Sequence, residues 1–240
     1  MPERYSVDAE FLNRLVNGGF EVGIHGFKHD GKLFNLKKIF DERMKKIEKY
    51  VREWGAVGFR SPATHRNPDW MMNIPFEYDS SFPDTDPYEP QPGGCLSIFP
   101  FFMGNVVELP ITLAQDHTLF QILGHKDISI WKQKIDWIEK MNGMALVIVH
   151  PDYIGSNGGG RKQGRYSIKY YEELLRYVRK KDHYWHALPR EVAEWWRRRD
   201  ASEIRLDGNG EPYIEGPAAR DGVITWIKLV NDEVMFEVKS

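Results

Sequence analysis

The chain has 240 residues, a formal net charge of −2, 41% hydrophobic residues and 13% aromatic residues. That length fits one large globular domain, or a domain with a small appendage, and the near-zero charge argues against a nucleic-acid partner. The single cysteine, Cys95, excludes an internal disulfide framework and a cysteine-based zinc site. No stretch approaches the roughly 20 apolar residues of a membrane span.

The first predicted element is a short helix. Ser6 or Asp8 caps it, Phe11, Leu12, Leu15 and Val16 share one face, and Gly18-Gly19 ends it. Phe20 to Ile24 reads as a short buried strand. Just past its end come His25 and His29, placed at i and i+4, a spacing that lets two imidazoles turn toward one metal ion. A long helix follows, on which Leu36, Phe40, Met44, Ile47, Val51 and Trp54 form a core-facing stripe. Ala56 to Phe59 is a second strand and runs into Arg60-Ser61-Pro62.

Residues 67–104 are rich in Pro, Asp and Gly and read as a long irregular region, with one short strand at Phe76–Asp79. Cys95 follows Pro92-Gly93-Gly94 with no base nearby, so a nucleophilic role is not expected. Val106 to Leu109 reads as a strand. A helix is predicted over Ile130–Met141, with Trp131, Ile135 and Ile138 inward. Met144 to Val149 is a continuous apolar run that suits a strand buried on both faces, and it ends at His150-Pro151-Asp152-Tyr153.

Gly155 to Arg161 is Gly-rich but lacks the Gly-Lys-Ser/Thr ending of a phosphate loop. Ser167 caps a helix reaching about Lys180, Tyr184–Leu188 reads as a strand, and Pro189 starts a helix ending near Arg199. The basic runs Lys180-Lys181 and Arg197-Arg198-Arg199 sit at helix ends, where cations complement the helix dipole, and read as solvated faces. Ile204–Leu206, Pro212–Ile214, Val223–Val230 and Glu233–Val238 alternate like strands. The reading is therefore α/β over residues 1–200, with a small β appendage over 201–240. In parallel β/α architectures, chemistry sits where strands end. His25, His29, Arg60, Asp79 and His150 all fall there.

On these residues the chain resembles the polysaccharide deacetylase superfamily, carbohydrate esterase family 4, over about residues 1–200. The motifs are His25-Gly26-Phe27-Lys28-His29, Arg60-Ser61-Pro62-Ala63, the acidic position Asp79, and Ile148-Val149-His150, in family order. The resemblance implies a distorted, incomplete β/α barrel. It implies a divalent metal, usually zinc, held by His25 and His29, and removal of acyl groups from amides or esters of a carbohydrate. Asp79 would hold Arg60, which orients the catalytic carboxylate, and His150 would protonate the leaving amine. Pro62 and Ala63 would contact substrate, Ala63 through its backbone N–H at the oxyanion. Tyr153 is placed with them as one of several aromatics able to stack on a sugar. Gly26 departs from the family pattern, which has Ser or Thr there, and Ala63 stands in place of Tyr.

The family's Asp-rich strand end is missing. It would supply the third metal ligand and the base, and Asp8 is the only Asp before His25. The chain is expected to be an N-terminal truncation of a deacetylase, or a natural short form that binds a sugar or a partner without catalysis. A third reading lets Asp30 complete the metal site. Little activity is expected of the chain as it stands, with metal weakly held. A missing first strand would expose a sheet edge and favour self-association. Gln115-Asp116-His117 follows the fourth strand and lines the same cleft, with no motif to give it a role. No signal peptide is visible, which leans toward the cytoplasm.

Overall fold

The computed structural model describes residues 7–85, 88, 91, 93–155 and 165–238. Contacts divide the chain into two units, Met1–Arg190 and Glu191–Ser240. Ser6 and residues 156–164 of the Gly-rich loop lie outside the described residues.

The first unit begins with α1 (Ala9–Asn17), whose first turn is closed by the Asp8 side chain accepting from the N–H of Glu10. None of its apolar stripe is fully buried: Leu12 and Leu15 are half-buried, and Phe11 and Val16 face solvent. The expected strand at Phe20–Ile24 is reduced to one parallel bridge: Ile24 pairs with Phe59, its N–H donating to Gly58 and its carbonyl accepting from Arg60. α2 (Lys37–Trp54) follows the predicted stripe. Phe40, Met44 and Ile47 are buried, Val51 and Trp54 pack beside them, and Leu36 lies outside the helix and is exposed. Because Ile47 is wholly enclosed, Ile47→Ala is expected to destabilise by roughly 2–5 kcal/mol, read as a lowered denaturant midpoint.

The main sheet is open, mostly parallel and four-stranded. Its strands are β1 (Gly58–Phe59), β2 (Tyr78–Asp79), β3 (Phe101–Met103) and β4 (Val106–Glu108), in the order β1-β2-β4-β3. β1 pairs parallel with β2 and β2 parallel with β4, while β3 and β4 form a hairpin. The stretch expected to be irregular thus contains β3. It also contains a short helix, α3 (Pro68–Met71), capped by Asn67 with Pro68 at its first position. Met71 and Phe76 join Ile24, Phe40, Met44, Ile47, Phe59 and Val106 in one core.

A second core gathers around α4 (Ser129–Lys140), whose Trp131, Ile135 and Ile138 point inward as their spacing requires. Met144–Val149 is extended but forms no regular strand. It hydrogen-bonds along one edge to residues 112–116, through Thr112 N–H and Leu113 N–H to the Leu146 carbonyl and Asp116 N–H to that of Ile148. Only Ile148 of the run is buried, so it is not enclosed on both faces. The short parallel pair β5 (Ile154–Gly155) and β6 (Tyr166–Ser167) leads into α5 (Ile168–Val178), capped by Ser167. Tyr184–Leu188 is not a strand: Tyr184 and Trp185 face solvent, and among the described residues no strand lies alongside to form a ladder.

α6 (Pro189–Asp200) begins where the first unit ends, with Pro189 at its start. The second unit carries two antiparallel hairpins, β7 (Glu203–Leu206) with β8 (Pro212–Glu215) and β9 (Thr225–Val230) with β10 (Glu233–Val238). Asn231 and Asp232 make the two-residue turn of the last hairpin, both with positive φ, as a twisted hairpin demands. Among the described residues no helix is long and apolar enough to cross a membrane.

Candidate active site

A cleft of about 840 Å³ opens at the strand ends of the first unit. His25, His29, Arg60, Ala63, His150 and Tyr153 all line it. Pro62 and Asp79 do not: both are buried beneath it and support the residues that do. On the cleft wall the ring of Tyr78 crosses directly over Gly58, where a Cβ would fall 1.9 Å from the phenol ring.

His25 and His29 face each other with ring centroids 5.3 Å apart. His25 Nδ1 lies 2.9 Å from the Arg60 carbonyl. A carbonyl only accepts, so this bond fixes the proton on Nδ1 and leaves Nε2 as the lone-pair nitrogen. Crowding by the cleft walls lowers the His25 pKa, the Arg60 hydrogen bond opposes this, and His29 adds to it. The ring therefore favours its neutral form, the one that binds a metal.

Gly26 explains its own departure from the family pattern. Its φ is +74°, and a Cβ there would meet the Pro62 ring at 2.7 Å. The two motifs touch at this point, so a Ser or Thr would displace Pro62.

Zinc takes three or four protein donors. The described residues bring no third His, Cys, Asp or Glu to His25 and His29. Asp30 does not complete the set. Both its oxygens accept from the Arg43 guanidinium, at 2.6 and 2.7 Å, and that partner holds its carboxyl down to about 2. The donors present therefore fall short of a zinc site.

Arg60 donates through Nε to the Ser80 carbonyl and through a terminal nitrogen to Ser80 Oγ, each at 2.9 Å. It makes no ion pair with Asp79, whose oxygens turn instead to Ser81. Asp79 acts on Arg60 only through charge. The expected grip on the guanidinium is thus exerted one residue later. The following turn is strained. Ala63 (φ 54°, ψ 25°) and Thr64 (φ 51°) are both left-handed without being glycine, an arrangement that costs of order 1–3 kcal/mol per residue and concentrates at functional sites. Among the described residues the Ala63 N–H has no backbone acceptor, and Ala63 lines the cleft.

Opposite lies the arrangement that the sequence did not assign. Asp116 is fully buried and accepts four hydrogen bonds. They come from His150 Nδ1 (2.6 Å), the His150 N–H (2.7 Å), the His117 N–H (2.8 Å) and the Tyr166 hydroxyl (3.0 Å). The carboxylate holds the His150 proton on Nδ1 and orients the ring, leaving Nε2 as the free nitrogen. Tyr153 packs between His150 and His117, its ring centroid 5.1 and 5.3 Å from theirs. Of the other aromatics able to stack on a sugar, Tyr166 is buried and Tyr170 and Tyr171 pack in the second core.

Neither a protein-family model nor a curated protein sequence matches this chain. Its structure is similar to the "Crystal structure of probable Polysaccharide deacetylase from Pseudomonas aeruginosa PAO1", with a TM-score of 0.52 and 17% identity. The match covers 79% of this chain and 63% of that one. At that identity the likeness is one of fold, and the fold is deacetylase-like.

Proposed function

We propose that this chain is a deacetylase-type hydrolase that cleaves an acyl amide or ester on a carbohydrate, working from an incomplete β/α barrel. The observation that carries the reading is His150, backed by the buried Asp116 and lining one cleft together with His25, His29 and Ala63. His150 Nε2 would take a proton from the attacking water and pass it to the leaving group, with Asp116 stabilising the ring while it is charged. The Ala63 N–H would hold the developing oxyanion. Tyr153 would offer its face to a sugar ring.

Metal dependence is proposed only as far as the donors reach. His25 and His29 would contribute two imidazole nitrogens to a divalent ion such as zinc, and a full set needs a donor that the described residues do not bring. That shortfall favours one second reading, in which the same cleft binds a carbohydrate without turning it over.

Zinc titration by calorimetry, paired with release of acetate from acetylated sugar oligomers, tests both readings. The expected result is weak zinc binding, abolished by His25→Ala and by His29→Ala and unchanged by Asp30→Asn, with slow hydrolysis that His150→Ala removes. Zinc binding indifferent to both histidines would end the metal proposal. Sugar binding with no hydrolysis at any zinc concentration would select the second reading.

A further inference from the structure

Beneath Arg60 lies a pair of acidic groups that the proposed chemistry does not use. Asp79 on β2 and Glu108 on β4 are register partners across the parallel ladder, so their side chains leave the same face of the sheet. Both are fully buried, and both accept from the same Ser81 N–H, which holds the two carboxyl groups side by side. The remaining bonds can be counted oxygen by oxygen. Asp79 Oδ1 accepts the Ser81 hydroxyl at 2.7 Å and Oδ2 the Ser81 N–H at 3.2 Å. Glu108 Oε1 accepts the N–H groups of Ser81 and Phe82, at 3.1 and 2.9 Å. Glu108 Oε2 is buried with no donor among the described residues.

Two ionised carboxylates in contact in a dry interior repel strongly, and such a pair keeps a shared proton. The oxygen without a donor is the one that must itself become a donor. The charged and titratable groups facing the pair decide where the proton sits. Burial raises the Asp79 carboxyl and the neighbouring Arg60 cation opposes that rise, while Tyr78 and Cys95 are neutral neighbours. Burial and the adjacent Asp79 push the Glu108 carboxyl well above the ordinary carboxylate range.

We propose that Glu108 is a neutral acid at physiological pH, its proton on Oε2 and donated to Asp79, and that it acts as a positioning residue for the cleft. The cluster of Arg60, Asp79 and Glu108 then carries no net charge. The ionised Asp79 accepts a hydrogen bond from the Ser81 hydroxyl, which turns Ser81 Oγ to accept the N–H of Ser61 at 2.9 Å. Ser61 begins the strained turn that presents the Ala63 N–H. The proton on Glu108 therefore sets the oxyanion donor through three hydrogen bonds. The protonation state stands on the geometry alone; its catalytic use rests on the function proposed above.

Infrared difference spectroscopy and denaturation of Glu108→Gln and Asp79→Asn test the proposal without an activity assay. In Glu108→Gln the new amide would donate to Asp79 and accept from Ser81 and Phe82, as the neutral acid does. At pH 7 the wild type is expected to show the carbonyl stretch of a neutral carboxylic acid. That band should move when glutamate carboxyls are isotope-labelled and vanish in Glu108→Gln. At pH 7 the denaturant midpoint of Glu108→Gln should stand at or above that of the wild type, and that of Asp79→Asn should stand below it.

The sign of the pH effect follows from the raised folded pKa. The stability tied to the Glu108 proton is fully present below the unfolded glutamate value and is lost as pH rises toward the folded one. The wild type should therefore lose stability relative to Glu108→Gln as pH rises above the ordinary glutamate range. A missing neutral-acid band, or a pH-independent difference, would overturn the proposal. A band that survives glutamate labelling with Asp79→Asn as the tolerated variant would move the proton to Asp79 and overturn its placement.

Discussion

Asp116→Ala is expected to destabilise the protein by roughly 3–5 kcal/mol, because it removes a buried carboxylate and strands the donors that point at it. The two donors of His150, the N–H of His117 and the hydroxyl of Tyr166 converge on that one side chain. Tyr166→Phe removes a single donor and leaves the carboxylate its bonds from His150 and His117, so its effect should be near 1 kcal/mol. Denaturant midpoints of the two variants rank them directly. If Asp116→Ala unfolds no more easily than Tyr166→Phe, the carboxylate is not the centre of the network. In the proposed hydrolase the same substitution releases the His150 tautomer, and loss of an oriented general acid lowers turnover by about 10²–10⁴.

The parts of this site that were legible in the sequence are those written as local patterns. His25 and His29 share one loop, and Arg60 to Ala63 form one turn. His150 ends an apolar run, so its place at the end of an extended segment could be read from the residues before it. Asp116 could not be found in this way. Its partner lies 34 residues away, and the two meet because the Asp116 N–H bonds the Ile148 carbonyl, a register that no local spacing encodes. Glu108 escaped notice for a similar reason. In the sequence it is one acid closing a β-prone triplet, and only the β2–β4 ladder sets it against Asp79.

The fold divides along the same line. α2, α4, α5 and the two C-terminal hairpins follow from periodicity, caps and turn residues close in sequence. β3 is a three-residue strand whose identity comes from pairing with β4. Tyr184–Leu188 has the composition of a strand, but no described strand runs beside it, and propensity without a ladder makes no strand. The apolar stripe of α1 shows the same gap: four apolar residues share one face, yet none of them is fully buried.

Trp131→Ala should be as damaging as the loss of Asp116, by a different route. Trp131 is fully enclosed, packs edge-on against Phe120, and donates from its indole nitrogen to the Ala114 carbonyl at 2.6 Å. Truncating a buried Trp costs about 3–5 kcal/mol through lost burial and the cavity left behind. Here the damage has a direction. Ala114 lies two residues before Asp116, in the segment that pairs with Leu146 and Ile148. The indole hydrogen bond therefore fixes, from the core side, the backbone that presents the carboxylate to His150. Trp131→Phe keeps most of the bulk and loses the hydrogen bond, a change of about 1–2 kcal/mol. Combining it with Asp116→Asn in a double-mutant cycle measures whether the two are coupled. If Trp131 only fills space, the two effects add within about 0.5 kcal/mol. If it also positions Asp116, the second substitution costs less once the first is made, because the carboxylate is already out of register with His150.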